Sequence, residues 1–268
     1  GKYHHQDDTT TLPQRVIILE EDIHTAPDFY SYMEATSVLL DNDPTLFAVS
    51  AFNDNGQEKH LYLSDSHNSS VKRLLRSDFF PGLGWMMSRS LWKTELETKW
   101  PEGYWDDWLR DPAQRQSRQV LRPELSRTYH FGNKGGASNN QFGQLLKNIY
   151  YNSKRKDDES IDWKNEDLSY LYSNAYHKWY YDQVFSTTTT KVASNLDEAL
   201  RLCRDNDVRL QYSTFEEFQD YANKLRIMDD EKAMVPRTAY EGIVETRPYG
   251  NRSILFLVPP ENNPLYKY

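Results

Sequence analysis

With Cys203 as its only cysteine, this 268-residue chain can form no intrachain disulfide. The thiol sits in a charged, helix-like stretch with no histidine beside it, and no GxSxG pentapeptide presents a serine, so covalent Cys or Ser catalysis is disfavoured. His4, His5, His24, His60, His67, His130 and His177 never take the HExxH spacing of a zinc hydrolase, so any metal would have to be held by carboxylates. The glycines of GNKGGASNN at 132–140 lack the GxxxxGK[ST] phosphate loop. No stretch approaches the roughly 18 apolar residues that span a bilayer, and no signal-peptide pattern opens the chain. Internal repeats are absent. Positive charge is scarce: Lys and Arg number 32 against 40 Asp and Glu, a formal net charge of −8. That balance disfavours non-specific attraction to nucleic acid or acidic membranes.

Aromatic residues are plentiful, with 7 Trp, 19 Tyr and 11 Phe. Such side chains fill cores and also form platforms for sugar rings. The length suits one large domain or two modest ones. The run RVIIL, Arg15 to Leu19, reads as a strand buried on both faces, as parallel strands are. Acid follows at Glu20, Glu21 and Asp22, and Pro27-Asp28 open a helix to about Leu40. A second strand, LFAVSAF, runs from Leu46 to Phe52 into the turn residues Asn53 to Gly56. An amphipathic helix is expected around Ser88 to Glu97, a mobile loop at 132–140, and a further helix from Gln141. Charge without an apolar stripe at 152–167 and the polar STTTT at 186–190 place a linker within 151–190, separating a region 1–150 from a smaller one at 191–268. In that last region Thr214 and Glu217 have capping-box spacing, and Ser253 to Val258 reads as the final strand. The chain opens on Gly and reaches its first strand within fifteen residues, which suggests a piece of a longer protein.

Two constellations carry candidate chemistry. In α/β sheets ligands gather beyond the carboxyl ends of strands, where the hard oxygens of Glu20-Glu21-Asp22 suit Mg²⁺ or Mn²⁺. The plainer reading is a solvated acidic strand end. Trp105-Asp106-Asp107-Trp108 sets two carboxylates between two indoles, where partial desolvation would raise a carboxylate towards the range of a general base. The plainer reading there is a pair of Trp anchors with Asp residues capping a helix. Arg110 is an ion-pair partner under either reading. The GLG at Gly82 to Gly84 permits close backbone approach, although alone it usually marks a turn.

The segments LEEDIHTAPDFYSY, VSAFNDNG, RSDFFPGLGWMMSRSLW, KWPEGYWDDWLR, RPELSRTYHFG and VPRTAYEGIV follow one another over nearly the whole chain. Together they resemble the N-acetylglucosaminyltransferase I family. The resemblance implies an α/β, GT-A-like nucleotide-sugar-binding domain, incomplete at its N-terminus, followed by a smaller C-terminal α+β domain. It implies inverting transfer from UDP-GlcNAc to the 2-hydroxyl of a mannose on a high-mannose N-glycan, with Mn²⁺ on the diphosphate. It also implies a Golgi membrane protein, lumenal and held by an anchor that this chain does not contain. By matching motif positions, Asp22 is the metal ligand and Glu20 touches the sugar, while Glu21 stands where the family usually has Asp. Leu83 and Trp105 wall the sugar pocket, Asp106 is the catalytic base, and Arg110 is a charged site residue. Ser138, in the loop 132–140, contacts phosphate. The family's first strands, which hold uracil and ribose, have no counterpart in this chain. Within the enzyme class the nearest alternative is a protein O-mannose beta-1,2-N-acetylglucosaminyltransferase, which shares the FFPGLGW and SRTYHFG styles, and the gap suggests a rival of another class, a non-catalytic glycan-binding module. Asn68-Ser69-Ser70 and Asn251-Arg252-Ser253 match glycosylation sequons.

Overall fold

A computed structural model describes residues 13–64, 69–132, 143–153 and 161–261. Strand β1 (Arg15–Ile18) leads through the acidic triplet into the short β2 (Ile23–Thr25). Helix α1 (Phe29–Asn42) buries Phe29, Tyr32, Met33, Thr36, Leu39 and Leu40, the three- and four-residue spacing of one apolar face. Its start is anchored by the buried Asp28, whose carboxylate accepts from Arg127 Nε at 3.1 Å, Trp163 Nε1 at 3.0 Å and Asn152 Nδ2 at 3.0 Å. Next come β3 (Leu46–Ser50), β4 (Leu74–Ser77) and β5 (Trp85–Ser88). The expected helix after β5 forms as α2 (Arg89–Leu91), capped by the Ser88 hydroxyl, and continues through a π-helical turn at Trp92–Leu96. Two short helices, α3 (Trp105–Arg110) and α4 (Pro112–Arg115), precede β6 (Gln119–Pro123), β7 (Thr128–His130) and the single turn α5 (Gly143–Leu146).

The main sheet has the order β1-β5-β3-β6-β4, and within it only β3 and β6 run parallel. β1 corrects the expectation of a strand buried on both faces. Among the described residues it is an edge strand paired antiparallel to β5, with Val16 43% and Leu19 43% exposed. An apolar β-branched run does not distinguish an edge from a centre, because pairing partners come from elsewhere in the chain. β3 is buried along its whole length, as a central strand requires.

Alternation along the strands sorts side chains into two layers. Val49, Met86 and Leu121 face a core built with α1, while Phe47, Trp85, Met87 and Val120 face a second core with Phe80 and Leu109. The first core also receives Trp163, Leu171, Tyr176, Tyr180 and Val184. The last three lie on α6 (Ser173–Phe185), so the segment expected as linker holds a helix packed on the main sheet. Its buried residues recur every four positions, a stripe carried by tyrosines that a polar mean composition conceals.

Beyond α6 the chain forms β8 (Thr190–Ala193), α7 (Leu196–Leu202), β9 (Asp207–Gln211) and α8 (Phe215–Leu225). A two-residue ladder joins β10 (Glu231–Lys232) to β11 (Val235–Pro236), and β12 (Val244–Thr246) and β13 (Leu255–Val258) finish the described chain. Thr214 caps α8, its Oγ1 accepting from Glu217 N–H at 3.2 Å, and Glu217 reaches back one residue beyond the capping-box partner to accept from Ser213 N–H at 2.6 Å. A second sheet has the order β12-β13-β9-β8. On β13, Leu255 and Leu257 enter a core with α7 and α8, whereas Phe256 and Val258 enter the first core beside α6. The two sheets therefore share α6 as a common packing layer. Among the described residues no helix is long and apolar enough to cross a membrane.

Candidate active site

The acidic triplet leaves the end of β1 next to the turn that starts β5. Glu20 accepts hydrogen bonds from Leu83 N–H at 3.2 Å and Gly84 N–H at 2.9 Å. Burial pushes the Glu20 carboxyl above its ordinary range, opposed by those backbone donors. The turn is held from two further sides: Ser50 Oγ donates to Gly82 O at 2.9 Å and Thr128 Oγ1 to Leu83 O at 2.7 Å. All three turn residues have positive φ, 72° at Gly82, 53° at Leu83 and 84° at Gly84. A non-glycine residue pays for this conformation, so Leu83 is a local outlier held by its surroundings. At Gly84 a Cβ would lie 2.7 Å from Thr128 Cγ2, so a side chain there would force Thr128 or the turn to move.

Asp22 lies where β2 meets β7. The ladder pairs Ile23 with His130, and Phe131 N–H donates to Asp22 O at 3.0 Å. His130 Nε2 is 2.8 Å from Asp22 Oδ2. Glu21 is exposed on the turn between β1 and β2.

On α3, Trp105 and Trp108 are three residues apart and turn towards the second core. Trp105 stacks on Trp85 and Trp100, with ring centroids 5.8 Å and 6.1 Å away. Asp106 and Asp107 occupy the first turn of the helix, favourable for carboxylates, and their side chains stay 43% and 49% exposed. This corrects the idea of carboxylates desolvated between indoles: helical spacing sends the rings inward and the acids outward. The desolvated carboxylate of the site is Glu20.

Arg110 ties α3 to the rest. Its Nη1 is 3.1 Å from Asp106 Oδ2, its Nε donates to Phe80 O at 3.0 Å, and its guanidinium lies 4.9 Å from the Phe79 ring centre. Burial lowers the Arg110 pKa. Phe80 also packs edge-on against Trp105. The segment Phe79–Gly84 thus joins both constellations, gripping Glu20 at one end and Arg110 and Trp105 at the other. Sequence reasoning missed Lys232, whose Nζ reaches Asp107 Oδ2 at 2.7 Å from β10, and the His130 contact to Asp22. Both are long-range pairings that no local pattern announces.

A match to the GNT-I family model extends over residues 10–268. The chain belongs to that family. It is 42% identical over 248 residues to an alpha-1,3-mannosyl-glycoprotein 2-beta-N-acetylglucosaminyltransferase of Arabidopsis thaliana, an alignment covering 92% of this chain and 52% of that protein. The chain spans about half the length of the curated relative that it matches.

For this GNT-I family chain the donor set decides what a metal could find. Among the described residues no three His, Cys, Asp or Glu side chains converge as a closed cage. Asp22, one-third exposed, instead offers a hard carboxylate at a strand end. Small divalent ions are commonly held by one or two carboxylates with substrate phosphates completing the shell, and Asp22 fits that mode. Ser138 and nearly all of the 132–140 loop lie outside the described residues, as does Asn68. The Asn251 side chain donates to Arg204 O at 3.0 Å and accepts from Ser253 N–H at 3.1 Å. Cys203 is buried, which pushes its thiol up to about 12 and keeps it from acting as a thiolate.

Proposed function

We propose that this chain forms the acceptor-activating part of an inverting glycosyltransferase with a GT-A-like donor fold, moving GlcNAc from UDP-GlcNAc to the 2-hydroxyl of an alpha-1,3-linked mannose on a high-mannose N-glycan. Its family and the name of its Arabidopsis relative support the reading, and one structural observation carries it. The Phe79–Gly84 segment links the Glu20 carboxylate at the β1 end to the exposed carboxylate of Asp106 by way of Arg110. Donor-side and acceptor-side chemistry therefore meet around one pinned turn.

Each residue then has a task. Leu83 and Trp105 wall the sugar, Trp105 being fixed by its stacking on Trp85 and Trp100. Glu20 faces the sugar from its backbone cradle. Arg110 engages Asp106 Oδ2, orienting the carboxylate while solvent still reaches it. Asp106 takes the proton from the mannose 2-hydroxyl as that oxygen bonds to the anomeric carbon. The bond from that carbon to the diphosphate oxygen breaks on the opposite face, inverting the centre and releasing UDP. Mn²⁺ held by Asp22 and the diphosphate would offset the charge gathering on the leaving group. Glu21 and Ser138 are assigned to the nucleotide and phosphates, and the reaction to the Golgi lumen.

The test is Asp106→Asn in the natural full-length protein. The amide keeps size and hydrogen bonding but cannot accept the proton, so turnover falls at least about a hundredfold with donor affinity little changed. Turnover close to that of the unaltered protein would remove Asp106 as the base.

A further inference from the structure

His130 is the one histidine of the described chain placed against the carboxylate assigned to the metal, and it has no role in the chemistry above. Three observations converge on it. Its Nε2 is 2.8 Å from Asp22 Oδ2, and because an ionised carboxylate only accepts, that nitrogen carries the hydrogen. The two residues belong to adjacent strands whose register pairs Ile23 with His130, and the Phe131 N–H···O bond to Asp22 closes the same ladder on the main chain. Gly132 completes the arrangement: a Cβ there would overlap Asp22 Oδ2 and approach His130 Nε2 to 2.9 Å. The Gly132 backbone and the imidazole together flank the carboxylate at Oδ2. The neighbouring His24 ring packs on Phe131 with centroids 4.4 Å apart, steadying the strand that carries His130.

We propose that His130 is a positioning residue for the metal-binding carboxylate: it occupies Oδ2 of Asp22, fixes the side-chain rotamer, and turns Oδ1 towards a divalent cation. A lone carboxylate at a strand end otherwise samples several rotamers, and ordering it on binding weakens affinity. Partners of metal ligands act in this manner, and their loss commonly lowers metal affinity by about 10–100-fold. In this role His130 acts through Asp22. The inference rests on the proposed assignment of Asp22.

The experiment measures Mn²⁺ binding to the natural full-length protein in the presence of UDP, by the loss of the free-ion electron paramagnetic resonance signal, without turnover. Melting temperature is recorded alongside. His130→Phe is expected to weaken Mn²⁺ binding by about 10–100-fold with little change in melting, and His130→Gln, which keeps a donor at similar reach, to restore most of it. Gly132→Ala displaces Asp22 from the other side and is expected to weaken binding comparably, which keeps the test decisive if the Phe variant does not fold. Asp22→Asn separates the two levels. If it abolishes Mn²⁺ binding while His130→Phe and Gly132→Ala leave affinity unchanged, the role of His130 is refuted and Asp22 stands. If Asp22→Asn itself binds Mn²⁺ normally, the metal assignment fails and the positioning role fails with it.

Discussion

His60 gives the sharpest test of the buried polar layer that joins the two sheets. Its side chain is buried, with Nδ1 3.2 Å from Arg247 O, and the carbonyl can only accept, so Nδ1 carries a hydrogen. Arg247 itself is bound to Glu124, and Arg73 to both Glu124 and Glu245, while the buried Arg122 lies beside them, so a further cation enters a layer in which arginines already outnumber carboxylates. Burial, reinforced by the neighbouring Lys59, depresses the imidazole from 6.5 to about 4. Between those values the unfolded chain binds a proton that the folded protein refuses. Stability is therefore fully present above pH 6.5 and is lost as the pH falls towards about 4. At 1.36 kcal/mol for each pKa unit, the loss attributable to this one group is about 3 kcal/mol. Other groups titrate in the same window, so the assay is a difference. Denaturant unfolding of the unaltered protein and of His60→Asn, which keeps a donor near Nδ1, is measured from about pH 7 to about pH 4. The variant is less stable at neutral pH, but the gap narrows on acidification by about 3 kcal/mol. Parallel stability curves for the two proteins would refute the reasoning.

Gly84→Ala places a methyl group against Thr128 Cγ2 at a φ of 84°, and it should cost about 2 kcal/mol or more in thermal unfolding; unchanged melting would show that the turn is not pinned as described. Arg76, with a fully buried side chain, donates at 2.8 Å each to Gln119 Oε1, Asp43 Oδ2 and Leu171 O. Arg76→Ala leaves Asp43 buried without its cation and should lose about 3–5 kcal/mol by chemical denaturation. A loss below about 1 kcal/mol would mean that solvent or a neighbour replaces the guanidinium.

Local pattern carried the parts of this fold governed by near neighbours. α1, β3 and the Thr214 cap of α8 were legible because apolar spacing and cap chemistry act within a few residues. What failed depended on partners distant in sequence. Among the described residues Arg15–Ile18 of RVIIL is an edge strand, pairing on one side with β5, about seventy residues away. α6 was hidden because two of its three buried residues are tyrosines rather than aliphatic residues. For the site, the acidic triplet and the Trp-Asp-Asp-Trp run were visible as motifs, but not which acids lose solvent. Helical spacing settled that for Asp106 and Asp107, and the Gly82–Gly84 turn settled it for Glu20. His130 and Lys232 came into view only with the β2–β7 ladder and the approach of β10 to α3.

The central claim is a chemical one and is tested most directly by the product. The natural full-length protein is incubated with UDP-GlcNAc, Mn²⁺ and a high-mannose oligosaccharide bearing a terminal alpha-1,3-linked mannose, and the linkage formed is read by nuclear magnetic resonance. The account predicts one added GlcNAc, β-linked to the 2-oxygen of that mannose, formed with Mn²⁺ and lost when the ion is chelated. An α-linked product, attachment at another hydroxyl, or binding of the oligosaccharide with no transfer at all would contradict it.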